Sequence, residues 1–183
     1  MNTRRQVLFI QGGGKDVHDE WDDKLVASLR AELGADCEIR YPRMPNEDDP
    51  NYAAWSSALS AELARLRDGA ILIAHSIGAT IMIHALAENP PARRIRTIVL
   101  VSAPFVGEGG WPSEGWRPQT ELGEKLPRDV PVHLFQGDAD DTVPPSHAEL
   151  YVRAIPQLQL HRLRGRDHQL NGDLREVAEV ISA

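Results

Sequence analysis

The chain alternates between short, nearly continuous apolar runs and longer stretches in which apolar positions recur every three or four residues. Six runs, bounded by Gly, Pro or Asp, read as strands: residues 7–10, 37–41, 70–74, 97–102, 132–136 and 158–163. Several lack polar–apolar alternation, as expected of strands covered on both faces. Between the first two runs, Trp21, Leu25, Leu29 and Leu33 recur every four residues and predict one apolar face on a crossover helix, with Gly34 at its C-terminal cap. A second helix over 52–66 turns Trp55, Leu59, Leu63 and Leu66 inward, and a third over 77–87 is stopped by Asn89, Pro90 and Pro91. Further helices are expected over 145–154 and 173–181. This alternation predicts an α/β fold: a three-layer α/β/α sandwich around a six-stranded parallel sheet with right-handed crossovers.

One long stretch, 103–129, has no clear period and contains Trp111, Trp116, four prolines and five glycines. It reads as an ordered loop or short cap. Loops of this length in compact domains are usually functional, which makes the two tryptophans candidate substrate contacts. The plainer alternative is a surface loop whose tryptophans only cover core.

With 183 residues, 42% hydrophobic and 26% charged, the chain fits one domain spanning 1–183. Its net charge of −7 argues against a broad footprint for nucleic acid or an anionic membrane, and directs attention to small-molecule or protein partners. The single cysteine, Cys37, cannot form an internal disulfide and reads as a packed thiol. After residues 1–6 the apolar run 7–10 is too short for a signal-peptide core or a membrane span, so a cytoplasmic location is expected. The oligomeric state is left open.

The chemistry concentrates at strand ends. Residues 71–80 pass from a strand through a turn straight into a helix and place Ser76 at the turn. Such a turn strains the serine backbone, projects its hydroxyl clear of the sheet, and needs small residues two positions to either side. Ala74 and Gly78 supply them. A serine that merely caps a helix would account for Ser76 but not for its small neighbours.

Here the sequence resembles the α/β-hydrolase fold family, whose GxSxG motif appears as Ala74, His75, Ser76, Ile77 and Gly78, with Ala in place of the first Gly. The resemblance implies that Ser76 is a nucleophile and that the Ile77 N–H is one oxyanion donor. Such a nucleophile needs a base and a carboxylate to orient it. Residues 137–144, Gly-Asp-Ala-Asp-Asp-Thr-Val-Pro, resemble the family's acid-bearing loop and put the acid at Asp140, although Asp138 or Asp141 can instead cap the next helix or bond the turn. Residues 164–170 resemble the histidine loop and make His168 the base. The order Ser76, Asp140, His168 is that of the family, and each residue follows a predicted strand.

The run Gln11, Gly12, Gly13, Gly14 has two readings. A nucleotide-phosphate loop would need a third spaced glycine or a lysine–serine pair, and neither is present. By the resemblance the run supplies the second oxyanion N–H, from Gly13 or else Gly14, with Gln11 where the family often has histidine. Gly12, Gly14 and His75 join Trp111 and Trp116 as candidate substrate contacts, though a structural role is the plainer reading for His75. His18 can line the pocket, but for it, as for His84, His133, His147 and His161, a structural or solvated role is the plainer expectation. No metal and no cofactor are expected, because no HxxxH or CxxC spacing occurs.

Within the family, the small size and absence of a large cap make the chain most similar to the compact hydrolases related to the retinoblastoma-binding-protein serine hydrolases. That resemblance implies strand order 2-1-3-4-5-6 and cleavage of a small ester or related acyl substrate through an acyl-enzyme. Two other functions stand against it: a catalytically weak interaction or regulatory protein on the same scaffold, and a nucleotide-binding protein.

Overall fold

A computed structural model describes residues 4–183; residues 1–3, part of the N-terminal segment considered above, lie outside it. Six parallel strands form one sheet: β1 (Arg5–Ile10), β2 (Cys37–Arg40), β3 (Ala70–His75), β4 (Ile95–Val101), β5 (Val132–Gly137) and β6 (Leu158–Leu163), in the order β2-β1-β3-β4-β5-β6. This is the expected topology, with strand ends shifted by one or two residues.

The continuous apolar runs have the expected cause. On β3, Ile71 and Ile73 face one core cluster while Leu72 and Ala74 face the other; on β4, Val99 and Val101 oppose Ile98 and Leu100. The first cluster packs under α1 (Asp22–Leu33) and α6 (Arg175–Ser182). The second packs under α2 (Tyr52–Leu63), α3 (Ser76–Glu88), the short α4 (Leu122–Lys125) and α5 (Ser146–Ala154). Each fully buried large side chain, such as Phe9 or Leu72, contributes about 1.5–3 kcal/mol of transfer free energy. Among the described residues, no helix is long and apolar enough to cross a membrane.

Three local expectations need correction. Trp21 is not on the inward face of α1: it is 48% exposed, under the Lys24 ammonium. Residues Val17–Trp21 form a π-helical turn, and α1 begins only at Asp22. The four-residue spacing therefore crosses a change of helix type, and Val26 joins Leu25, Leu29 and Leu33 in the core instead. The second helix ends at Leu63, and Leu66 is buried beyond it. The third correction is α4, which was not expected inside the 103–129 stretch; four residues are too few to show a period.

That stretch is tied down by two histidines. His147 Nδ1 accepts the Phe105 N–H (2.8 Å), and His84 Nδ1 accepts the Gln119 N–H (3.0 Å). Both must be neutral to accept. Burial, with a smaller contribution from Lys125, pushes the His84 imidazolium down to a pKa of about 4. The unfolded chain takes up a proton near pH 6.5 while the folded chain does not until about pH 4. Stability from this group is therefore complete above pH 6.5 and falls as pH drops toward 4, by about 3 kcal/mol. Urea unfolding at pH 7 and pH 4.5 is expected to show this slope in the wild type and a shallower one in His84→Gln; equal slopes would contradict it.

Candidate active site

The site lies at the C-terminal ends of β1, β3, β5 and β6. Ser76 opens α3 directly after β3, with φ 53, in the left-handed region that a serine rarely occupies. The strain is imposed by crowding. A Cβ on Gly78 would overlap the Gln11 carbonyl oxygen at the end of β1, so only glycine lets the first turn of α3 cross the sheet this closely. The small-residue reading of 74–78 has its physical cause there.

The loops after β5 and β6 are built against each other. A Cβ on Gly137 would overlap the Arg166 carbonyl oxygen, which accepts the Ala139 N–H (3.0 Å), and the Asp138 carboxylate accepts the Gly165 N–H (2.6 Å). This separates the three aspartates that the sequence left open. Asp138 braces the histidine loop, Asp141 is exposed, and Asp140 is buried facing His168.

His168 Nδ1 lies 3.0 Å from Asp140 Oδ2, and His168 Nε2 lies 2.9 Å from Ser76 Oγ. Asp140 Oδ2 also accepts the Gln136 amide N–H (2.8 Å), and Oδ1 accepts the N–H groups of Thr142 and Val143 (both 2.9 Å). Burial raises the Asp140 pKa, but hydrogen bonds from His168, Val143 and Gln136 outweigh it and hold the carboxyl below its usual range. An ionised Asp140 only accepts, so His168 carries its proton on Nδ1. Its Nε2 lone pair then accepts the hydrogen bond of the Ser76 hydroxyl.

The glycine run closes the other side. The Gly12 N–H donates to Asp22 Oδ2 (2.7 Å), and the Gly14 N–H donates to the Glu47 carbonyl (2.6 Å). Gly13 packs where a side chain would overlap Pro50 and crowd Ile77. Gln11 anchors the run: its amide donates to the Glu47 carboxylate (2.6 Å) and its Oε1 accepts the Met44 N–H (2.8 Å). Glu47 also receives the His18 N–H (3.2 Å), so one carboxylate braces both ends of the loop, while the His18 ring stacks on Tyr41.

Of the remaining candidates, Gly12 packs against Ser76, where an added Cβ would come within 3.2 Å of the serine Cβ. His75, a candidate substrate contact, is 1% exposed and bonded to Asp22, because strand alternation turns its side chain toward the face covered by α1. Gly12 and Gly14 have committed their N–H groups to protein acceptors. Trp116 is stacked on Tyr52 (4.3 Å) with its edge to His84, eight residues along α3 from Ser76 and so about 12 Å away along the axis. Trp111, 37% exposed, stands edge-on to His147. Neither tryptophan has an aromatic contact with the site. Sequence reading missed Asp22, Glu47 and Gln136; none lies in a motif, and only Asp22, an acid in the first turn of a helix, carried any local signal at all. Among the described residues, no group of three or more His, Cys, Asp or Glu side chains is arranged to hold a metal ion.

A sequence model of the family described as Serine hydrolase matches residues 8–170, from the middle of β1 past His168. The chain belongs to the serine hydrolase family. No curated protein matches the sequence itself. Among solved structures, this serine hydrolase family member is similar to the ydeN gene product from B. subtilis (TM-score 0.73, 21% identity, 97% of each chain covered). It is also similar to Est1E from Butyrivibrio proteoclasticus with ferulic acid bound (TM-score 0.68, 15% identity, 99% of this chain and 88% of that one). A third similar structure is the thioesterase domain from the curacin biosynthetic pathway (TM-score 0.68, 14% identity, 100% and 92% covered). At these identities the likeness establishes the α/β-hydrolase fold.

Proposed function

We propose that this protein hydrolyses a small ester or related acyl substrate through an acyl-enzyme on Ser76, with His168 as base and Asp140 as orienting acid. The observation that carries the reading is the unbroken line from hydroxyl to imidazole to carboxylate at 2.9 and 3.0 Å, built on a serine held at φ 53. A scaffold kept only for binding has no need of that strain. In the first half-reaction, Ser76 Oγ attacks the acyl carbonyl as its proton passes to His168 Nε2, and Asp140 stabilises the resulting imidazolium. His168 then protonates the leaving group. In the second half, water gives its proton to His168 and attacks the acyl-serine, releasing the acid and restoring the hydroxyl.

The oxyanion is assigned to the N–H groups of Ile77 and Gly13. Ile77 lies in the first turn of α3, where N–H groups have no partner within the helix. Of the three glycines, Gly13 is the one whose N–H is not given to Asp22 or Glu47. The structural neighbours include Est1E with ferulic acid bound and a thioesterase domain, so the acyl class is kept broad. The test is turnover of a short-chain p-nitrophenyl ester. Ser76→Ala is expected to reduce kcat/KM by about 10⁴-fold or more without lowering the melting temperature. Turnover by the variant at the wild-type rate would remove Ser76 from the mechanism.

A further inference from the structure

His75 precedes the nucleophile and takes no part in the mechanism above, yet it sits in a polar arrangement that the core does not require. Its side chain is 2% exposed, and Nδ1 lies 2.9 Å from each oxygen of the Asp22 carboxylate, which is wholly buried. On the other side of the ring, Nε2 lies 3.0 Å from the backbone carbonyl of His168. A carbonyl oxygen only accepts, so Nε2 carries a hydrogen.

The proton between Nδ1 and Asp22 can sit on either partner. Imidazole is the more basic by about 2.6 pKa units. Asp22 Oδ2 also accepts the Gly12 N–H and Oδ1 has no aligned donor, so a cationic ring alongside is what offsets a carboxylate charge here. Burial opposes charge on His75, but the Asp22 carboxylate, the His168 carbonyl and the more distant Asp140 carboxylate outweigh it and raise its pKa. The ionisable groups facing the ring are Asp22 from α1, Asp140 from the loop after β5, and His168, whose ring centroid is 4.9 Å away.

We propose that Asp22 and His75 form a buried carboxylate–imidazolium pair that positions the site, fastening the glycine loop and the backbone of His168 to the strand end that carries Ser76. The pair reaches three segments at once: Gly12 through Asp22, His168 through the His75 ring, and Ser76 through the chain itself. Each of these must stay within a few tenths of an ångström for the hydroxyl, the base and the oxyanion donors to meet, and a misplacement of 1 Å can cost on the order of 100-fold in rate. Asp22 and His75 are therefore positioning residues, in an inference that rests on the hydrolytic reading.

The test begins with the wild-type chain and does not depend on activity. Nitrogen-15 NMR of the histidine rings at pH 8 is expected to show hydrogens on both nitrogens of His75, where an unperturbed imidazole has lost one. An unprotonated nitrogen on His75 at that pH would overturn the pair. Asp22→Asn removes the charge and is expected to lower kcat on a p-nitrophenyl ester by about 10- to 100-fold, with KM within about twofold, and to return His75 to a single ring hydrogen. A folded Asp22→Asn with unchanged kcat would overturn the positioning role. If Asp22→Asn does not fold, His75→Gln gives the same reading: a comparable fall in kcat supports the role and an unchanged kcat overturns it. Failure of the wild type to hydrolyse any acyl ester would instead defeat the hydrolytic reading, while the NMR result would still report on the ion pair.

Discussion

His168→Ala is expected to lower kcat/KM on a short-chain p-nitrophenyl ester by about 10⁴-fold or more, with the folded structure retained. The loss follows from proton accounting. Without the imidazole, the Ser76 hydroxyl has no acceptor, and neither the leaving group nor the attacking water has a proton relay. The fold survives because Asp140 keeps its other donors: the Gln136 amide and the N–H groups of Thr142 and Val143 still neutralise its buried oxygens. The variant should therefore melt within a few degrees of wild type while being nearly inert. A variant that is unfolded, or one that keeps more than a tenth of wild-type kcat/KM, would contradict this account.

Gly78→Ala is the second large effect, and it acts through stability. The added methyl meets the Gln11 carbonyl oxygen, a backbone atom at the end of a central strand, and no flexible side chain can give way. Either α3 lifts from the sheet or the end of β1 shifts; overpacking of this kind typically costs 1–3 kcal/mol, and a backbone collision belongs at about 3 kcal/mol or above. Activity should fall further than stability, because the displaced residue, Gln11, anchors the loop that holds Gly13 and is bonded to Glu47. Chemical denaturation and ester turnover measured together check this. A variant with wild-type stability would show that the crowding at the turn is not what holds Ser76 in its conformation.

These two sites were legible in the sequence for different reasons. Strands covered on both faces are apolar over most of their length, so the runs on β3 and β4, and the shorter one on β5 beside His133 and Gln136, were visible without any partner being known. Ser76 was visible because the signature of its turn is local: the small residue before it and the glycine after it lie within five positions, although the Gln11 carbonyl that crowds Gly78 does not. Asp140 and His168 were readable only through loops that resemble a family, and the choice among Asp138, Asp140 and Asp141 depended on which one faces a histidine 28 residues away. Asp22 shows what local reading cannot supply. An acid in the first turn of a helix looks like a response to the helix dipole, and its actual partner, His75, is 53 residues distant. Trp21 failed for the opposite reason, since its spacing was regular but the helix type changed beneath it. Trp116 was a candidate by composition alone, and its stacking between Tyr52 and His84 depends on how α2 and α3 pack.

Activation of the Ser76 hydroxyl by His168 is open to chemical trapping. Treating the wild-type protein and Ser76→Ala with a fluorophosphonate, then locating the adduct by mass spectrometry of the digested chain, tests this most directly. A stoichiometric adduct is expected on the peptide containing Ser76 in the wild type and none in the variant. A folded wild type that takes up no label, or a variant that labels as fast as the wild type, would contradict it.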